Sequence, residues 1–139
     1  MNGSSVIRVA AAVVLDDDGR MLVVRKRGTA MFMQPGGKIM AGESAVEALK
    51  REVAEELGVA ASSVEPLGRH AADAANEPGQ TVEADVFLVT LDGEPRAAAE
   101  IDEIVWMDTA DPGDYPLAPL TEQLRRASHC GSRTPAADS

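Results

Sequence analysis

The sequence predicts an α/β (α+β) fold, a mixed β-sheet sandwiched between helices, and three observations predict it. Short β-branched runs are interspersed with two segments of helical periodicity. An acidic turn joins the first two runs. The 139 residues, 45% of them hydrophobic, suffice for one buried core and not for two. Sheets and amphipathic helices bury their apolar faces against one another as layers, so this alternation implies an α/β/α arrangement. The domain is expected to span residues 1–127, with 128–139, small and polar, as a flexible C-terminal tail.

The first strand is read from residues 6–15, and the second from Met21-Leu22-Val23-Val24 and the Arg25-Lys26-Arg27 that follows. Asp16-Asp17-Asp18-Gly19 between them marks a β-hairpin. Residues 28–42 carry Pro35, Gly36 and Gly37 and read as a loop. A helix over 45–57 follows. Ser44 and Glu47 form a capping-box pattern, Gly58 stands where a left-handed C-terminal cap belongs, and Val46, Leu49, Val53 and Leu57 form the apolar stripe. Residues 62–79 read as one short strand and a loop around Asn76-Glu77-Pro78-Gly79, and residues 81–91 as a clear alternating strand. A loop over 93–103, a short strand over 104–107, a turn at Asp111-Pro112-Gly113 and a closing helix over 120–127 complete the reading.

Twenty-three Asp and Glu against 13 Lys and Arg leave a net charge of −10, and aromatic residues make up only 3%. That balance repels a polyphosphate backbone and supplies few stacking platforms, which excludes nucleic-acid polymers as partners. A small phosphate ligand would need a local basic pocket or a bound cation. Cys130 is the one cysteine, so neither an intrachain disulfide nor a cysteine zinc site is expected. His70 and His129 stand isolated. The start of the chain lacks a basic signal region, and the apolar stretch over 6–15 is short and interrupted by Arg8, so a cytoplasmic address without membrane association is expected. Dimerisation, with the apolar first strand as an edge, is left open.

Chemistry concentrates on the first helix. Glu52, Glu55 and Glu56 stand at i, i+3 and i+4, which clusters three carboxylates beside the core stripe, with Ala45 and Ala48 leaving room for an approach. Like charges at this spacing destabilise a helix unless a cation sits among them. Hard oxygen donors next to the glycines at 36 and 37 suit Mg²⁺ or Mn²⁺, which favour carboxylates plus substrate phosphate.

Residues 37–59 follow the pattern G-x5-E-x7-R-E-U-x-E-E-x-G-U without a departure, U being a bulky aliphatic residue: Gly37, Glu43, Arg51, Glu52, Val53, Glu55, Glu56, Gly58 and Val59. At average residue usage an accidental match in a chain of this length has odds below about one in a million. The segment resembles the Nudix box, and the flanking strands and C-terminal helix are similar to the Nudix fold. The resemblance implies a Mg²⁺-dependent hydrolase that cleaves a nucleoside diphosphate linked to a group X into nucleoside monophosphate and phosphorylated X, a nucleoside triphosphate being one such substrate. It implies Glu52, Glu55, Glu56 and the Gly36 carbonyl as metal ligands. Glu52, Glu55 and Arg51 would be the catalytic box residues, and Glu43 would support them. Glu100, six residues before Trp106, matches a MutT-like general base, with Glu103 as competitor. Arg25, Arg27 and Lys38 are candidates for binding substrate phosphate. In MutT-like enzymes acting on oxidised guanine nucleotides an asparagine in a late loop reads the base; here Pro119 stands there, leaving Asn76 or Gln34 to supply an amide. Tyr115 is a stacking candidate, and Trp106 reads as a core residue. The alternative, a nucleotide-sensing Nudix domain without turnover, would be favoured by damaged box carboxylates, and all are present.

Overall fold

A computed structural model describes residues 5–74 and 79–138, with side chains over 6–74 and 79–128. The elements run β1 (Ser5–Val13), β2 (Met21–Lys26), β3 (Gly36–Lys38), α1 (Ala45–Leu57), β4 (Ala61–Asp73), β5 (Gln80–Leu91), β6 (Ile101–Met107) and α2 (Pro119–Asp138). A four-stranded mixed sheet has the order β3-β1-β5-β4, with β1 parallel to β5 and the other pairs antiparallel. β2 and β6 form a separate antiparallel ribbon.

Alternation along β1 and β2 explains the layers. Ala10, Ala12, Val14, Leu22 and Val24 join Leu49, Val53 and Leu57 of α1 in one core cluster. Their odd-numbered neighbours Ala11, Val13, Met21 and Val23 join Leu120 and Leu124 of α2 in the other. A strand with apolar side chains on both faces is buried on both, so helices must cover each side. The expected sandwich is therefore present.

Several local expectations need correction. The first two strands touch only at the neck of their turn, where Leu22 N–H donates to the Val14 carbonyl and Leu15 bridges Met21, and then part into different sheets. β1 is consequently interior to its sheet and supplies no edge; the edges are β3 and β4. The expected loop over 28–42 contains β3, whose glycines pair with Ala10 and Ala11. β4 has 13 residues, longer than the short strand expected, because its pairing with β5 continues through a register shift between Pro66 and Gly68. β6 starts at Ile101, inside the expected loop over 93–103. α2 runs past the expected end at residue 127. The side chains of His129 and Cys130, the side chains of the expected tail from 129 onward, and Asn76 lie outside the described residues. Among the described residues no helix is long and apolar enough to cross a membrane.

α1 has the caps its sequence implies. Ser44 Oγ accepts from Glu47 N–H at 3.1 Å, Glu47 accepts from Ser44 N–H at 2.9 Å, and Gly58 closes the helix at φ 70°. Its buried face is rotated from the expected stripe: Val46 is exposed, whereas Ala48 and Glu56 are buried. Packing against the glycine strand β3, where no side chain intervenes, draws the Ala48 and Glu56 edge inward.

On α2, Glu122 accepts from both Arg125 and Arg126, and these bonds hold its carboxyl well below the usual range, at about 2. A carboxylate with a depressed folded-state pKa stabilises the fold above its unfolded value and loses that contribution as pH falls toward its folded value. Glu122→Gln should therefore lower Tm at neutral pH by about 2–6 °C, for a partly exposed network worth about 1 kcal/mol. Thermal melts should show the gap between variant and wild type narrowing between about pH 5 and pH 3.

Candidate active site

Two consecutive glycines bring strand and helix together. A Cβ at Gly37 would lie 2.6 Å from Glu52 Cδ, so only glycine lets that carboxyl rest on the β3 backbone. Gly36 N–H donates to Glu56 Oε1 at 3.1 Å, fixing the second carboxyl against the same strand. Arg51 ties the preceding loop to the helix. It donates to Glu43 at 2.7 and 2.9 Å, to Glu52 at 2.7 Å and to the Lys38 carbonyl at 3.1 Å. The Arg51 bonds, aided by Met40 N–H, pull the Glu43 carboxyl down to about 2, and the same carboxylates push the Arg51 guanidinium above its ordinary value.

Glu56 is only 5% exposed. Burial pushes its pKa up to about 8; the Gly36 N–H opposes the shift, the neighbouring Glu52 charge adds to it and Lys26 opposes it. Glu52, Glu55, Glu56 and Glu100 line one cleft of about 180 Å³, together with Lys26, Ala99 and Ile101. A buried carboxyl beside three others is a costly arrangement that a bound cation would relieve. The donors are all hard oxygens, which fits a divalent ion of the magnesium type. Glu52 and Glu56 stand side by side, the first held by Arg51 and the second by the Gly36 N–H, and the described residues hold no preassembled trio of acidic, histidine or cysteine ligands.

Across the Gly36–Gly37 ridge lies a second cavity of about 200 Å³. Ile7, Val9, Val82 and Leu120 make it largely apolar, and Gln34, Lys26, Lys38 and Asp73 add polar groups. Thr121, fully buried, donates to Gln34 Oε1 at 2.7 Å and so orients the amide.

The structure thus unites some candidates and separates others. Glu100 joins the box carboxylates, whereas Glu103 pairs with Arg25 at 3.3 Å. Arg25 also binds Asp102 at 3.1 Å and lies over the Phe32 ring, and Arg27 donates to the Ala99 carbonyl; neither lines the two cavities. Lys38 and Gln34 border the apolar cavity, while Tyr115 stacks edge-on against Phe32 outside it. Trp106 packs against the core as expected. Pro119 opens α2 between the lining residues Ala118 and Leu120. Sequence reading missed Lys26, although its even number, shared with Leu22 and Val24, is the signal that sets it on the α1 side.

Residues 6–128 match the family model described as "NUDIX domain". The chain belongs to the NUDIX family. Nudix relatives include the 8-oxo-dGTP diphosphatase of Haemophilus influenzae, 32% identical over 133 residues that cover 89% of this chain and 95% of that protein. The CTP pyrophosphohydrolase of Escherichia coli K12 is 29% identical over 125 residues, covering 87% and 90%. Among solved Nudix structures, the MutT NUDIX hydrolase from Burkholderia pseudomallei superposes with a TM-score of 0.76 at 26% identity, covering 87% of this chain and 96% of that one.

Proposed function

We propose that this Nudix hydrolase cleaves nucleoside triphosphates with water, giving nucleoside monophosphate and pyrophosphate, with Mg²⁺ or Mn²⁺ as cofactor. The observation that carries the reading is the junction itself: a carboxylate cleft and an apolar cavity meet across a side-chain-free glycine ridge. At about 200 Å³ the cavity is smaller than a typical whole-ligand pocket and suits a base, leaving the phosphate chain to cross the ridge. Relatives named for 8-oxo-dGTP and for CTP share the triphosphate and differ in the base, which supports the class rather than one member.

In this reading Glu52, Glu55, Glu56 and the Gly36 carbonyl hold the ion. When bound, it supplies neutralisation of the phosphate charge and Lewis acidity at phosphorus. Arg51 holds Glu52 and Glu43 in register, so the helix and the glycine strand present their oxygens as one unit. Glu100 accepts the proton of the attacking water from the far wall of the cleft. Gln34 supplies the amide that reads the base, its oxygen held by Thr121 so that its nitrogen donates.

A screen of dNTPs, 8-oxo-dGTP, CTP, ADP-ribose, nucleotide sugars and dinucleoside polyphosphates with Mg²⁺ or Mn²⁺ tests this. Turnover should favour triphosphates and cease on chelation; turnover of no class would overturn the reading in favour of a sensor. Glu100→Gln should lower kcat by about 10²–10⁴-fold. Glu103→Gln, which only releases Arg25 from one of two carboxylates, should stay within about threefold. Equal, small effects would return the base to α1.

A further inference from the structure

The loop that carries Glu100 joins β5 to β6 and is fastened to the end of α1. Ala98 N–H donates to the Glu56 carbonyl at 3.1 Å and Arg96 N–H to the Leu57 carbonyl at 2.9 Å, so the loop fills carbonyls that the last helical turn leaves open. Ile101 N–H then turns back onto the Ala98 carbonyl at 2.9 Å. Within that turn Ala99 stands at φ 52°, the one non-glycine residue among the described residues with a positive φ. A side chain is disfavoured there, and such a conformation persists only where neighbouring contacts hold it.

Arg27 supplies the hold from the other side. It follows β2 at a corner where Gly28 turns at φ 81° and Thr29 N–H closes onto the Lys26 carbonyl at 3.0 Å. From this corner it grips two consecutive peptides: its N–H donates to the Glu100 carbonyl at 2.8 Å, and its guanidinium Nη2 donates to the Ala99 carbonyl at 3.3 Å. Arg27 lines neither cavity and makes no ion pair among the described residues. It therefore holds the backbone on both sides of the Ala99–Glu100 peptide while leaving the Glu100 carboxylate unpaired and facing the cleft.

We infer that Arg27 is a positioning residue for Glu100: by bridging the Ala99 and Glu100 carbonyls it keeps Ala99 left-handed and the Glu100 side chain aimed into the carboxylate cleft. This inference rests on the reading of Glu100 as proton acceptor and adds what holds that residue in place. Were Ala99 to relax to a negative φ, the following residue would turn with it, and Glu100 would leave the cleft wall. A displacement of about 1 Å at a reacting group is enough to cost much of a rate.

The test compares wild type with Arg27→Met and Arg27→Lys, each also combined with Glu100→Gln. Amide hydrogen exchange, followed by NMR in chelator, reads the loop without metal or substrate. Arg27→Met should speed exchange at the Ala98 and Ile101 amides by about fivefold and leave Val53 within α1 unchanged, whereas Arg27→Lys, which can still donate to the Ala99 carbonyl, should stay within about twofold. With dGTP or CTP and Mg²⁺ or Mn²⁺, Arg27→Met should lower kcat about tenfold with KM within about twofold. Added to Glu100→Gln it should cost nothing further, because it acts through the residue already removed. Unchanged exchange in Arg27→Met would overturn the inference. So would a raised KM at unchanged kcat, which would place Arg27 on the substrate, or losses that simply add to those of Glu100→Gln; each leaves the nucleotide reading standing. A near-normal kcat in Glu100→Gln, or turnover of neither nucleotide, would overturn the reading beneath, and this assignment with it.

Discussion

Glu56→Gln should yield a folded protein whose kcat is lower by about a thousandfold, with Tm at or above that of wild type. The two halves of this expectation have different causes. An amide is a poor ligand for a hard divalent ion, and losing one carboxylate from the proposed metal site removes about 4 kcal/mol of transition-state stabilisation. Stability has no matching loss, because glutamine is isosteric and its oxygen still accepts from Gly36 N–H, while the burial of an ionisable group beside Glu52 is relieved. Steady-state kinetics and a thermal melt on one preparation measure both. A kcat within tenfold of wild type would remove Glu56 from the metal site. A large fall in Tm would make its role one of folding.

Gly36→Ala should unfold the protein more readily, by about 3 kcal/mol or more, equivalent to roughly 10 °C in Tm. At φ 139° the residue lies where side chains are strained, and a Cβ there would stand 2.1 Å from the Ala10 carbonyl oxygen. That oxygen belongs to the backbone of a buried strand, so β3 must leave β1, taking the Glu56 contact with it. Gly37→Ala is the instructive contrast. Its Cβ meets the tip of the Glu52 side chain, which can swing aside. It should cost little stability and lower kcat by about a hundredfold or more, because the carboxylate is displaced while the strand remains. Thermal melts and kinetics on the pair separate the two glycines. Similar Tm values for both variants would overturn this division of labour.

Much of the site was legible because its grammar is local. The capping box of Ser44 and Glu47, the Gly58 cap and the clustering of Glu52, Glu55 and Glu56 depend on contacts within a helical turn, so spacing along the chain predicts them. The same holds for Arg51, whose partners Glu43 and Glu52 belong to the same box. Rotation of α1 was not legible. Val46 fits the apolar stripe by periodicity, and Glu56 enters the core instead because β3 offers two residues without side chains to pack against.

By itself the sequence determined the layered fold, the helix with its two ends and the box that places this chain in its family, each through short-range geometry or composition. Tertiary structure alone decided which of two adjacent cations meets the cleft and which of two late glutamates joins α1. Arg25 and Lys26, like Glu100 and Glu103, are equivalent charges when read along the chain. The pairing of β2 with β6, residues nearly eighty positions apart, sends Arg25 to Glu103 and leaves Lys26 and Glu100 facing the box. A strand's side chains alternate between two faces, and only the partner packed on each face gives that alternation a direction.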